Sequence, residues 1–150
     1  MIIKSLEKLN ELSKLVSNKI SNSEWIFLFG EIGVGKTTFS RFLINNIQKK
    51  NNIETTDVKS PTFNILIEYK IKDITISHYD FYRLKKLKEI DDLGILSEEE
   101  NNIKIIEWPE LLSKKIKDRI EIHFKYQKNK DFREISIKSF GQSENKIHVL

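Results

Sequence analysis

The chain has 150 residues, a mass of 17.8 kDa, no Cys, two Pro, five Gly and a formal charge of +4. These values describe one domain over residues 1–150 and exclude a disulfide scaffold, a thiol nucleophile and a cysteine zinc site. With 39% apolar residues the chain can build a core without staples or structural metal. Its longest apolar run, Trp25 to Phe29, falls far short of the roughly 20 residues that cross a bilayer. The expectation is a cytoplasmic, unprocessed protein with no membrane association.

Leu6, Leu9, Leu12, Leu15, Val16 and Ile20 recur at three- and four-residue spacing, which predicts an amphipathic helix over Ser5 to Ile20 capped by Ser5. Trp25 to Phe29 is a short unbroken apolar run, the pattern of a strand buried on both faces in a parallel sheet. A Gly-rich loop follows, then a helical stripe of Phe39, Phe42, Leu43 and Ile47. Phe63–Lys70 and Ile74–Tyr79 read as an antiparallel hairpin laid onto the parallel core. Ile103–Ile106 reads as a further strand, Pro109–Ile116 as a helix, and Ile120–Tyr126 with Glu134–Ile137 as closing strands. The fold class expected is α/β: a three-layer P-loop NTPase fold with a mixed, mainly parallel sheet and an inserted antiparallel hairpin.

Lysine makes up 22 of the 26 cations and is spread along the chain. Its densest runs, Lys85, Lys86 and Lys88 and then Lys114, Lys115 and Lys117, alternate with Leu, Ile and acids, and read as solvated faces rather than a nucleic-acid patch.

Gly30, Glu31, Ile32, Gly33, Val34, Gly35, Lys36 and Thr37 match G-x-x-x-x-G-K-[ST] at every fixed position, between a strand and a helix. The glycines let successive N–H groups turn inward around phosphate oxygens, and the following helix adds the positive end of its dipole. Lys36 is placed for the β- and γ-phosphates, Thr37 for Mg²⁺ and Thr38 for the α-phosphate. Neither near match to the guanine-reading N-K-x-D pattern, Asn129–Phe132 or Asn145–His148, is complete, so ATP is the better reading. Asp91, Asp92, Leu93 and Gly94 spell D-x-x-G, but no strand precedes them, and the tetrapeptide reads as a decoy.

A phosphoryl-transfer site needs acids near its metal, and strand ends present them to the ligand crevice. Ile103–Ile106 ends in Glu107, the logic of a Walker B element, and Ile74–Tyr79 ends in Asp80. Ser60, Pro61, Thr62 and Phe63 lie where switch-type loops of many P-loop enzymes supply a hydroxyl.

Four segments in order, Gly-Glu-Ile-Gly-Val-Gly-Lys-Thr-Thr from Gly30, Ser-Pro-Thr-Phe from Ser60, His-Tyr-Asp-Phe-Tyr-Arg-Leu from His78 and Glu-Trp-Pro-Glu from Glu107, resemble the TsaE (YjeE) family. Leu93-Gly94 followed by Glu98 and Glu99 is similar too. The loop departs mildly, with Glu31, Ile32 and Val34 where the family often carries Asp, Leu and Ala. The resemblance covers about Trp25 to Leu112. It implies a small bacterial P-loop ATPase needed for threonylcarbamoyladenosine modification of tRNAs that read codons beginning with A. It also implies the TsaD and TsaB proteins as partners, with tRNA reached through their complex.

Carried over by the resemblance, Lys36 binds phosphate, Thr37 and Glu107 hold Mg²⁺, Asp80 orients the attacking water and Thr62 is a switch-like sensor. The roles of Asp80 and Glu107 are open to exchange. Arg133 is assigned to the adenine or ribose side. Trp108, His78 and Tyr82 are open between packing and contact with nucleotide or partner, and Arg83 between phosphate or partner contact and a surface ion pair. Two other functions share the loop: a small-molecule kinase, against which the four arginines and lack of an evident lid count, and a nucleotide-dependent switch with incidental hydrolysis.

Overall fold

The structure is a computed structural model and describes residues 1–97, 99–144, 146 and 147; Glu98, and Asn145 and His148 of the second near match, thus lie outside the described residues. In chain order the elements are β1 (Ile2–Ile3), α1 (Leu6–Lys19), β2 (Glu24–Phe29), α2 (Lys36–Lys50), β3 (Leu66–Ile71), β4 (Ile74–Asp80), α3 (Leu87–Asp91), β5 (Asn102–Glu107), β6 (Arg119–Tyr126) and β7 (Arg133–Phe140). All seven strands form one sheet in the order β1-β7-β6-β2-β5-β4-β3.

The centre of that sheet is parallel, because β2 pairs with β5 and β6, and β4 pairs with β5. Both margins are antiparallel: β3 on β4 at one side, β7 on β6 and β1 on β7 at the other. The predicted hairpin is therefore present, with β4 joining the parallel core and β3 forming the edge.

Alternation along β2 separates two cores. Ile26 and Leu28 pack with Phe39, Leu43, Val16 and Leu12 beneath α1 and α2, while Phe27 packs on the opposite face with Tyr79, Phe81, Ile106 and Leu112. Burying a side chain of this size contributes about 1.5–3 kcal/mol, so β2 and β5 anchor the fold from both sides. Ser5 caps α1 as expected, its hydroxyl accepting from the Lys8 N–H at 3.2 Å.

Two local expectations change and a third holds. Pro109–Ile116 does not continue as an α-helix: one turn closes with the Ser113 N–H on Pro109 O at 2.9 Å, and only a short 3₁₀ turn, Ser113–Lys115, follows. Its apolar residues are too few to offset helix nucleation, and Arg119 donates to Ile116 O at 2.9 Å, directing the chain into β6. Phe63 to Ile65 lie outside β3, because the Ile65 N–H turns back to Pro61 O and Ile65 takes φ 67°. Asp91–Gly94 forms the turn closing α3, with the Gly94 N–H on Asp91 O at 3.0 Å, in keeping with its reading as a decoy. Among the described residues no helix is long and apolar enough to cross a membrane.

Candidate functional site

The parallel strands β2, β4, β5 and β6 direct their carboxyl ends to one rim, where open α/β sheets bind ligands. The loop from Gly30 to Gly35 leaves β2 there and enters α2. Gly30 has φ 148°, and a Cβ on it would stand 2.7 Å from Phe124 O and 2.9 Å from Val34 Cγ1. Gly33 has φ 74°, and a Cβ on it would stand 3.3 Å from the Tyr126 hydroxyl. No side chain fits at the first position, and one at the second is strained.

Gly35 precedes α2 with no side-chain cap bond, so the first amides of a 15-residue helix remain available to an anion. Lys36 curls under the loop, where its Nζ donates to Gly30 O and, at 2.9 Å, to Glu31 O. The ammonium lies 4.0 Å from the centroid of the Trp108 ring, and Trp108 takes φ 59° at the end of β5. Burial lowers the Lys36 amine from its ordinary value, against the opposing pull of Glu107, Glu110, Asp80 and Glu31.

The two strand-end carboxylates are neighbours, since the β4–β5 register pairs Asp80 with Glu107. Glu107 is 1% exposed and holds a partner on each oxygen. Thr37 Oγ1 donates to Oε1 at 2.6 Å, and His78 Nε2 lies 2.7 Å from Oε2. His78 Nδ1, on the far side of the ring, is buried with no partner among the described residues. Asp80 accepts from Thr62 Oγ1 at 2.8 Å through Oδ2 and from the Tyr82 N–H at 2.9 Å through Oδ1, and Ser60 Oγ lies 2.9 Å from Thr62 Oγ1.

A cleft of about 240 Å³ opens between these groups. Its polar lining is Lys36, Thr37, Thr38, Thr62, Asp80 and Glu107, and Ile32, Gly33, Gly35, Tyr82 and Trp108 complete it. The structure thus brings together most of the predicted site. Gly30 and Glu31 meet it through their carbonyls, and Val34 is buried under the loop at 1% exposure. Arg133 lies behind the loop: its Nε donates to Val34 O at 2.9 Å and its guanidinium stacks 4.4 Å from the Tyr126 ring centroid. A second cleft, of about 310 Å³, runs there past Lys4, Ser5, Thr38 and Arg133. Arg83 is outside both clefts and donates to Phe63 O at 3.2 Å.

Among the described residues no group of three or more His, Asp or Glu is gathered as a self-sufficient metal cage. The oxygen-only set of Thr37, Glu107 and Asp80 beside a phosphate loop nevertheless fits Mg²⁺, which takes one or two carboxylates and fills its remaining positions with phosphate and water.

Two functional contacts are not apparent from the motifs. His78 acts as the second partner of Glu107, and the Tyr126 hydroxyl donates to Ile32 O at 3.1 Å, bracing the loop from β6. The alternation Ile76, His78, Asp80 places His78 on the same face as Asp80, which is the one signal available for it.

A family profile described as "Threonylcarbamoyl adenosine biosynthesis protein TsaE" matches residues 3–135. The chain is 38% identical over 112 residues to a Rickettsia felis protein named "tRNA threonylcarbamoyladenosine biosynthesis protein TsaE", which covers 75% of this chain and 63% of that relative's length. A Bacillus subtilis protein of the same name is 28% identical over 137 residues, covering 90% and 82% respectively. The crystal structure of Bacillus subtilis YdiB superposes with a TM-score of 0.69 at 23% identity, covering 96% of this chain and 86% of the other, and so shares the fold. The chain belongs to the TsaE family, named for the biosynthesis of threonylcarbamoyladenosine in tRNA.

Proposed function

We propose that residues 1–150 form one Mg²⁺-dependent ATPase domain whose turnover cycles a TsaD–TsaB complex during threonylcarbamoyladenosine modification of tRNAs reading codons that begin with A. The observation that carries this reading is the 2.6 Å bond from Thr37 at the start of α2 to Glu107 at the end of β5, with Asp80 next to Glu107 in register. A hydroxyl and two acids converge beside a phosphate loop, as phosphoryl transfer requires.

In this reading the amides from Gly33 to Thr38 and the α2 dipole hold the phosphate chain. Lys36 exchanges the Gly30 and Glu31 carbonyls for the β- and γ-phosphates, and Thr37 and Glu107 hold Mg²⁺. Mg²⁺ held there would supply charge neutralisation to the β- and γ-phosphates. Asp80 orients the attacking water, which needs placement more than a strong base. Thr62 reports the state of the γ-phosphate through its 2.8 Å bond to Asp80. The Thr37 bond favours Glu107 over Asp80 as the metal ligand, and His78 fixes the rotamer of Glu107 from behind. The cleft past Lys4, Ser5 and Arg133 receives the base and ribose.

The partners are TsaD and TsaB, tRNA is met through their complex, and the location is cytoplasmic. A small-molecule kinase is disfavoured because no arginine lines the cleft that holds Lys36. The deciding experiment measures phosphate release by the purified protein with and without TsaD and TsaB, alongside a panel of small phosphoryl acceptors. Slow, Mg²⁺-dependent release that the partners accelerate is expected; acceptor phosphorylation indifferent to the partners contradicts the assignment.

A further inference from the structure

The phosphate loop is short of bonds of its own. Between Gly30 and Gly35 three glycines take φ 148°, 74° and 116°, and a single backbone bond among the described residues closes inside it, from the Val34 N–H to Glu31 O at 3.2 Å. A stretch so rich in glycine loses much conformational entropy when it is held in one shape, so groups outside it must do the holding. Its carbonyls show which groups these are. Lys36 takes those of Gly30 and Glu31 from within. From outside, the Tyr126 hydroxyl donates to Ile32 O at 3.1 Å and Arg133 Nε to Val34 O at 2.9 Å.

These two outer side chains are built as a pair. Tyr126 ends β6, Arg133 opens β7, and the strand register sets them opposite each other. The guanidinium lies 4.4 Å from the Tyr126 ring centroid. Its Nη1 donates to Lys130 O and, at 3.2 Å, to Phe132 O, so the turn between the two strands fixes the arginine in place. The Tyr126 ring is partly buried against the core that contains Phe124 and Val34. A trans peptide unit sets its N–H opposite its C=O. Drawing Ile32 O and Val34 O toward the β6–β7 hairpin therefore aims the Gly33 and Gly35 N–H groups away from it.

In the reading above, Lys36 leaves its two carbonyls for the phosphates, and the inference made here rests on that step. The inner brace is released as the loop fills, and the outer pair remains. We propose that Tyr126 and Arg133 are positioning residues for nucleotide binding, which keep the Gly33 and Gly35 amides turned onto the phosphate chain by holding the Ile32 and Val34 carbonyls. Neither side chain needs to touch the nucleotide. Their contribution is preorganisation of the loop, and it reaches the phosphates whatever base they carry.

Inorganic tripolyphosphate has no base or ribose, and so reads the loop alone. Calorimetric titration of the full chain should find that the parent binds both ATP and tripolyphosphate, each with Mg²⁺ present. Tyr126→Phe keeps the ring on Arg133 and removes only the hydroxyl; it should weaken both ligands by the same factor, about fivefold. Arg133→Met should weaken both about tenfold or more. In steady-state phosphate release the KM for ATP should rise by the same factor in each variant while kcat stays within about twofold of the parent's, because the braces serve ground and transition state alike. A variant that is merely less folded would instead lose kcat at unchanged KM. Should Arg133→Met not fold, Tyr126→Phe decides the matter by itself. Equal affinity for tripolyphosphate in Tyr126→Phe and the parent overturns the proposal. So does a loss for ATP alone, which makes these side chains base or ribose contacts, and so does a fall in kcat with KM unchanged. A parent that binds neither ligand removes the phosphate-loop reading itself, and the proposal with it.

Discussion

Strand β5 buries two charges and treats them in opposite ways. Glu107, at its carboxyl end, has a hydroxyl on one oxygen and an imidazole on the other. Lys104, nearer its amino end and on the other face, has an aromatic ring beneath it and no carboxylate partner among the described residues. A buried charge with converging partners is held ready in one geometry, which metal and phosphate chemistry demands. A buried charge without them rests on an aromatic face, and its removal should cost the fold little. Burial alone does not distinguish the two; the partners do.

The contrast can be tested by removing its members in turn. Lys36→Ala should abolish detectable ATP binding or turnover, read by calorimetry and phosphate release, because no other cation among the described residues lines that cleft. Asp80→Ala and Glu107→Ala should lower turnover by about 10²–10³-fold while affinity falls far less, since positioned electrostatic groups act chiefly in the transition state. Equal losses in affinity and turnover would assign both acids to ground-state binding instead.

His78→Leu should cost about 2 kcal/mol in denaturant unfolding, because it strips a charge-assisted bond from a buried carboxylate. Turnover should also fall, by about tenfold. Lys104→Met should do the reverse, leaving stability at neutral pH equal to the parent's or higher by up to about 1 kcal/mol. Its pH dependence follows from the lowered amine. Between the folded value and the ordinary 10.5 the unfolded chain binds more protons, so the parent gains stability as pH rises through that window. The methionine variant should lack that part of the rise in thermal melts compared across the same pH values.

The site was largely legible in the sequence where spacing alone determines geometry. Gly30 to Thr37 announces itself because a phosphate loop needs glycine, lysine and hydroxyl at fixed offsets. Asp80 and Glu107 stand out as acids closing apolar strands. What depends on register was hidden: only the pairing of His78 with Ile105 and of Asp80 with Glu107 brings the imidazole diagonally onto the carboxylate. The bond from Arg133 Nε to Val34 O was hidden too, being set by where β7 lies against the loop. The two-residue β1 is too short for any period to reveal, and Pro109–Ile116 had the turn-opening proline of a helix without enough apolar surface to sustain one.

The central claim is that the Gly30–Thr37 loop grips a triphosphate while Glu107 and Asp80 manage its magnesium. A crystal structure of the full chain with Mg²⁺ and a non-hydrolysable ATP analogue tests it most directly. The account predicts phosphate oxygens against the first amides of α2, Lys36 turned from the Gly30 carbonyl onto the phosphates, and a magnesium ion within coordination distance of Thr37 Oγ1. An analogue bound elsewhere, or a magnesium ion remote from both carboxylates, would contradict it.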